Sequence, residues 1–161
     1  VLAFQTGGQT PVSMTFQNIL LPTDGSAASL KAARLVSEVA QACNAEVTLL
    51  LVITSEPLGM ASLPKEVISQ IKRSLQEAGQ AILHKTRAIL DETGVATKVK
   101  LVEGEIPSET IAREARLYGH DLIVMGSRGL GQHSSDRFFV GSVAEQVIRL
   151  APCPVLIVKE E

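Results

Sequence analysis

Short apolar runs and longer helical periods alternate from residue 18 to the end of this chain, and no other feature narrows the fold as far. Asn18 to Thr23 reads as a strand, and Ser26 to Cys43 as a helix with Ala32, Leu35, Val36, Val39 and Ala40 on one face. Glu46 to Ile53 is a second strand. Pro64 suits a first helical turn, after which Ile68, Ile71, Leu75, Ala78, Ile82, Thr86 and Ile89 recur at steps of three or four towards Thr93. Gly94 closes that helix, because glycine tolerates the left-handed backbone in which helices often end. Val95 to Val102 alternates, with Lys98 and Lys100 opposite Val95, Thr97, Val99 and Leu101, as a half-solvated edge strand does. Pro107 to Tyr118 is a helix, His120 to Met125 a strand, Ser142 to Leu150 a helix and Cys153 to Lys159 the last strand.

The order βαβαβαβαβ, with connections that can hold crossover helices, implies a parallel sheet covered on both faces. Leu49 to Ile53 and Leu122 to Met125 are continuously apolar and belong inside it, since strands buried on both faces need no alternation. Right-handed crossovers then give strand order 3-2-1-4-5, a doubly wound arrangement whose order reverses between strands 1 and 4. The expectation is a single-domain α/β protein over residues 14–161, an open five-stranded parallel sheet with helices on both faces. Val1 to Ser13 precede Met14 and the first periodic segment, and are expected to be a disordered leader or remnant without a role. Pro22 suits a central strand poorly and is placed where the first strand is already leaving the ladder.

Between Asp121 and Val143 the apolar run Asp121-Leu-Ile-Val-Met125 breaks into Gly126-Ser-Arg-Gly129 and resumes, after a polar stretch, at Gly141-Ser-Val143. A buried strand that empties into glycines and then reaches a helix opened by Gly-Ser can build an anion site. Glycine backbone approaches a phosphate closely, and the open N–H groups of a helix start point at it with the positive end of the helix dipole behind them. The same residues also have a ligand-free reading, because Ser142-Val-Ala-Glu145 is a capping box that could satisfy those N–H groups itself, and the glycines could simply punctuate a loop. Position in the fold adds weight to a ligand. In open α/β sheets ligands bind beyond the carboxyl ends of the strands at the switch point, where Thr23-Asp24-Gly25 and Met125-Gly126 should face each other.

Fifteen basic residues are scattered and balanced by 17 acids for a formal charge of -2, which argues against a nucleic-acid footprint. With no Trp and one Tyr there is no stacking platform for single strands either. Cys43 and Cys153 are too few and too far apart for a disulfide framework or a zinc site, and read as small core residues of a reducing cytosol. No run reaches the ~20 apolar residues that a membrane span needs. His84 reads as a helix-surface residue and His120 as a strand start.

From about Phe16 onward the chain resembles the universal stress protein family, in its ATP-binding branch. The likeness rests on Ile19-Leu-Leu-Pro-Thr-Asp-Gly-Ser26, the Leu51-Val-Ile53 strand end, Gly104-x-x-Pro107, Ile123-Val-Met-Gly-Ser-Arg-Gly129, Gly141-Ser-Val143 and Ala151-Pro-Cys-Pro-Val-Leu-Ile-Val158. It implies an adenine nucleotide alpha hydrolase-like, Rossmann-like fold and ATP binding. Asp24, beside Thr23 in the first motif, would lie by the nucleoside or its cation, and Val52 would meet adenine through its backbone. Met125 and Gly126 would line the ribose and phosphate side, while Gly129, Gly141, Ser142 and Val143 cradle the phosphates with Arg128 as an additional partner. Mg²⁺ or Mn²⁺ would accompany the nucleotide, since Asp24 near a triphosphate otherwise faces like charge. One departure stands out: eleven residues, Leu130 to Val140, separate Gly129 from Gly141, two more than the family pattern. Loops accept insertions when their ends stay fixed, so an outward bulge is expected, with His133 and Asp136 in it as a weak catalytic or metal pair.

The resemblance implies a cytoplasmic, nucleotide-dependent stress or regulatory module. Strong ATPase chemistry is not expected, for want of a Walker lysine or a clear base beside the phosphates. Alternatives are a structural dimer of the same family without nucleotide, a slow ATP hydrolase using Asp24 or Asp136, and a binder of AMP or cyclic AMP. The apolar last strand, Val155-Leu-Ile-Val158, would sit at a sheet edge, and both its exposure and the resemblance imply a homodimer joined there.

Overall fold

The computed structural model describes residues 2–4, 12–54, 63–130 and 140–160, with backbone alone for 2–4 and 12–14. Two short strands, β1 (Leu2–Phe4) and β2 (Val12–Met14), pair antiparallel in a ribbon of their own. Residues 1–13 were expected to be a disordered leader or remnant, and residues 1 and 5–11 of that stretch lie outside the described residues.

The main body follows as β3 (Asn18–Pro22), α1 (Ala27–Cys43), β4 (Glu46–Ile53), α2 (Lys65–Asp91), β5 (Thr97–Glu103), α3 (Pro107–Leu117), β6 (Leu122–Gly126), α4 (Ser142–Leu150) and β7 (Val155–Val158). Its strands are all parallel, in the order β5-β4-β3-β6-β7, which is 3-2-1-4-5 counted within the sheet. Ile19 of β3 stands between Val47 of β4 and Leu122 of β6, so the central strand is paired on both sides.

Alternation along the strands divides the core into two layers. Ile19, Leu21, Val47, Leu49, Leu51, Leu122 and Val124 pack with Ala32, Val36 and Ala40 of α1 and Leu83 and Leu90 of α2. Leu20, Leu50, Ile123 and Met125 face the other way, against Ile111 and Ala115 of α3 and Ala144 and Val147 of α4. The inner face of α1 is mostly small, built from Ala28, Ser29, Ala32, Ala33, Ser37 and Ala40 around Val36. A side chain on Gly126 would come within 2.8 Å of the Ser29 backbone nitrogen, so glycine at that strand end is required by helix packing.

Local chemistry sets the element ends. Ser26 caps α1 by accepting from the Ser29 N–H at 3.2 Å, and Asn44 ends it in the left-handed region at φ 54°. Gly94, at φ 69°, turns the chain after α2. Pro22 ends β3 after the β6 ladder has stopped at Leu20, and the next N–H, of Thr23, donates to the Leu50 carbonyl at 2.8 Å. β6 starts at Leu122 and β7 at Val155, later than the sequence suggests. The Asp121 carboxylate takes the place of a ladder residue, accepting from the N–H groups of Gln17 at 2.7 Å and Asn18 at 3.1 Å, and Pro152 and Pro154 have no N–H for a ladder. No helix among the described residues is long and apolar enough to cross a membrane.

Candidate functional site

A crevice of about 560 Å³ opens beyond the carboxyl ends of β3, β4 and β6, at the point where strand order reverses. Thr23, Asp24, Val52, Met125, Gly126, Arg128, Gly129, Gly141, Ser142 and Val143, scattered over four stretches of sequence, all line it.

Its near rim is the turn that follows β3. Gly25, at φ 80°, reverses the chain there, and its N–H lies 3.3 Å from the Thr23 hydroxyl. Thr23 donates in turn to the Ser29 hydroxyl at 3.2 Å, and its oxygen lies 3.4 Å from the Thr86 hydroxyl of α2, so the turn contacts both helices of that layer. Asp24 accepts from the Ser26 N–H through Oδ1 and from the Leu130 N–H through Oδ2, each at 3.0 Å. The Ser26 hydroxyl donates to the Arg128 carbonyl at 3.2 Å. The first turn and the glycine loop are therefore bonded to one another directly.

Across the crevice, Ser127 donates its N–H to the Val158 carbonyl at 2.8 Å and accepts from the Gly141 N–H at 2.7 Å, which brings the second glycine anchor beside the first. Gly141 is the N-cap of α4, with φ −63° and ψ 153°, and among the described residues no side chain caps the helix. The capping box suggested by Ser142 and Glu145 does not form: Ser142 is already helical, and Glu145 turns instead to Arg149, 2.7 Å away. The N–H groups of Ser142, Val143 and Ala144 thus have no acceptor within the helix, and these three residues line the crevice. Here the positive end of the α4 dipole meets the glycine loop.

The opposite part of the crevice is apolar, walled by Pro22, Leu50, Val52, Pro107, Ile111 and Met125. Pro107 and Ile111 belong to α3 and were not placed at the site from sequence, because an apolar residue on a helix reads as core. α3 and α4 are held together beside the site by the Ser108 hydroxyl, which donates to Gln146 Oε1 at 2.5 Å.

Among the described residues, charge at the crevice comes from Asp24 and Arg128. Asp24 is the carboxylate that lines it, and no cluster of three His, Cys, Asp or Glu side chains exists among the described residues. The donor set fits a protein-held divalent cation poorly, since both oxygens of that carboxylate already accept backbone hydrogen bonds. Mg²⁺ characteristically takes its ligands from substrate phosphates and water with only one or two carboxylates, so a nucleotide could carry the cation itself. His133 and Asp136 lie outside the described residues, as does most of the lengthened segment.

The groups with displaced acidities lie elsewhere. Burial lowers the pKa of His120 and raises that of the Cys153 thiol. Lys100, despite desolvation, is held above its ordinary value by hydrogen bonds to Glu114 and Tyr118. Both cysteines are free and half-buried, and His84 is exposed on α2.

Comparison with known proteins agrees with this architecture. The universal stress protein family model matches residues 15–159. Universal stress protein MJ0531 of Methanocaldococcus jannaschii is 38% identical over 149 residues, 90% of this chain and 83% of the relative. The solved structure of hypothetical protein MJ0577 superposes with a TM-score of 0.78 at 32% identity, covering 92% of this chain and 99% of its own. A universal stress protein crystallised in complex with cAMP shares the fold, with a TM-score of 0.66, 24% identity and coverage of 92% and 100%. With a family match across nearly its whole length and the same sheet order, this chain belongs to the universal stress protein family.

Proposed function

We propose that the crevice binds an adenine nucleotide, ATP in the first instance, and that the chain acts as a cytoplasmic nucleotide-dependent stress or regulatory module. The observation that carries this reading is the start of α4, uncapped by any described side chain, which sits beside the glycine loop at one side of a crevice whose other wall is apolar. Open N–H groups at a helix start suit phosphate, and an aliphatic wall suits a base. Val52, at the apolar wall, would meet adenine through its backbone; Met125 and Gly126 would lie by the ribose; Gly129, Gly141, Ser142, Val143 and Arg128 would surround the phosphates. Mg²⁺ or Mn²⁺ would enter with the triphosphate, bound by phosphate oxygens and water. The cAMP-bound relative has the same fold, and the assignment of nucleotide here rests on the crevice itself.

The test is a thermal-shift series with ATP, ADP, AMP and cyclic AMP, each with and without Mg²⁺. Saturation at a hundred times the dissociation constant stabilises by about 2.7 kcal/mol. For a chain of this size that raises Tm by roughly 5–10 °C. No shift with any of them at millimolar concentration would overturn the reading.

A further inference from the structure

The geometry assigns Asp24 a role that its place beside a phosphate site does not suggest. A carboxylate lining an anion-binding crevice repels its ligand unless its charge is used elsewhere. Here each of its oxygens accepts a backbone N–H, Oδ1 from Ser26 in its own turn and Oδ2 from Leu130 across the crevice. Oδ2 also occupies the space in which a side chain on residue 129 would begin: a Cβ built on Gly129 would stand 2.6 Å from it. Gly129 is not among the glycines with positive φ, which are Gly25, Gly94 and Gly119 among the described residues. Its backbone is therefore open to any residue, and a side chain there would have to displace the Asp24 carboxylate from its present place. The Ser26 hydroxyl, bonded to the Arg128 carbonyl, is a second tie between the same two segments.

We propose that Asp24 is a positioning residue that anchors the glycine loop through the Leu130 amide, and that residue 129 is glycine to admit this carboxylate. Asp24 then acts on a ligand through the loop, and a divalent cation has no protein ligand in it. The binding consequence rests on the nucleotide reading; the anchor itself does not.

The experiment uses the full chain as Asp24→Ala, Asp24→Asn, Gly129→Ala and the Asp24→Ala/Gly129→Ala double variant. Amide hydrogen exchange is followed at Leu130 and Ser26 without ligand, and ATP affinity is measured by calorimetry in Mg²⁺ and in EDTA. Asp24→Ala should speed exchange at both amides and weaken ATP by roughly tenfold, the worth of one hydrogen bond to a charged group, by the same factor in Mg²⁺ and in EDTA. Asp24→Asn, which retains one acceptor oxygen, should fall between. Gly129→Ala should mimic Asp24→Ala in the native background and add nothing to it in the double variant, as expected of partners in one contact. A loss confined to Mg²⁺-ATP would make Asp24 a cation ligand and overturn the proposal, as would additive effects in the double variant. If the unsubstituted protein binds no nucleotide, the nucleotide reading fails while exchange at Leu130 still decides the anchor.

Discussion

The buried Ser108 hydroxyl donates to the Oε1 of Gln146, an exposed residue one turn into α4, and so ties together the starts of the two helices that border the crevice. The two partners differ in what they lose when the bond is cut. Gln146→Ala leaves a hydroxyl that is 1% exposed without its acceptor, at a cost of about 1–3 kcal/mol. Ser108→Ala removes the buried hydroxyl and leaves a glutamine that water can reach, so its cost should be about 1 kcal/mol or less. Urea denaturation of both variants checks the order. Equal losses would mean that the bond contributes little and that side-chain packing sets both values.

A second prediction concerns pH. His120 is buried two residues before β6, its Nδ1 without a partner among the described residues. Lys100 from β5, Glu114 and Tyr118 from α3, and Asp121 beside it are the charged and titratable groups around it. Burial is the chief cause of its lowered pKa, with the Lys100 charge adding to it, against carbonyls of Glu114 and Ala115 that favour the protonated ring. The folded state therefore binds fewer protons at this site than the unfolded state. Its contribution to stability is intact above pH 6.5, declines as pH falls below 6.5, and stops declining below the folded-state value. Urea midpoints measured from pH 8 to pH 5 should fall more steeply for the native protein than for His120→Gln. Parallel curves would place the acid sensitivity elsewhere.

The fold was legible in the sequence because its strands are marked twice, by aliphatic runs and by the helical periods between them. Leu49 to Ile53 and Leu122 to Met125 could be placed in the interior because they do not alternate, and β5 at an edge because its lysines do. The residues named at the crevice converge because sheet order follows from crossover handedness, and sheet order alone brings Asp24 to Gly129. Three features were not legible. Ser142 and Glu145 have the spacing of a capping box, but the partner that draws Glu145 away, Arg149, is itself at ordinary helical spacing, and sequence does not say which pair forms. The apolar wall from Pro107 and Ile111 is indistinguishable from core until α3 is docked. The two hydrogen bonds of Asp24 depend on where Leu130 N–H points, which no residue pattern encodes.

The edge position of β7 suits the homodimer expected from sequence and selects the substitution that tests it. Val155 and Ile157 pack into the layer below α4, so a charge at Ile157 would harm the fold itself. Leu156 is 39% exposed and lies on the outermost strand. Leu156→Lys should therefore leave the circular dichroism spectrum unchanged and shift sedimentation from dimer to monomer, because an uncovered apolar edge is what a second copy would pair with. A dimer that persists in Leu156→Lys would put the joining surface elsewhere.

The open start of α4 allows a test in which stability and binding move in opposite directions. Ser142 is exposed at the first helical position, above N–H groups that no side chain satisfies among the described residues. Ser142→Asp places a permanent negative charge against the positive end of the helix dipole, which should stabilise the ligand-free protein by roughly 0.3–1 kcal/mol. The same charge would compete with phosphate for the same N–H groups, so ATP affinity should fall by at least about tenfold, the equivalent of 1.4 kcal/mol. Ser142→Ala, which leaves the N–H groups open, should lose much less. Thermal denaturation without ligand and calorimetric titration with ATP give both quantities for each variant. If Ser142→Asp binds ATP as tightly as the native chain, the start of α4 is not where the phosphates lie, even if the crevice holds a nucleotide by its apolar wall.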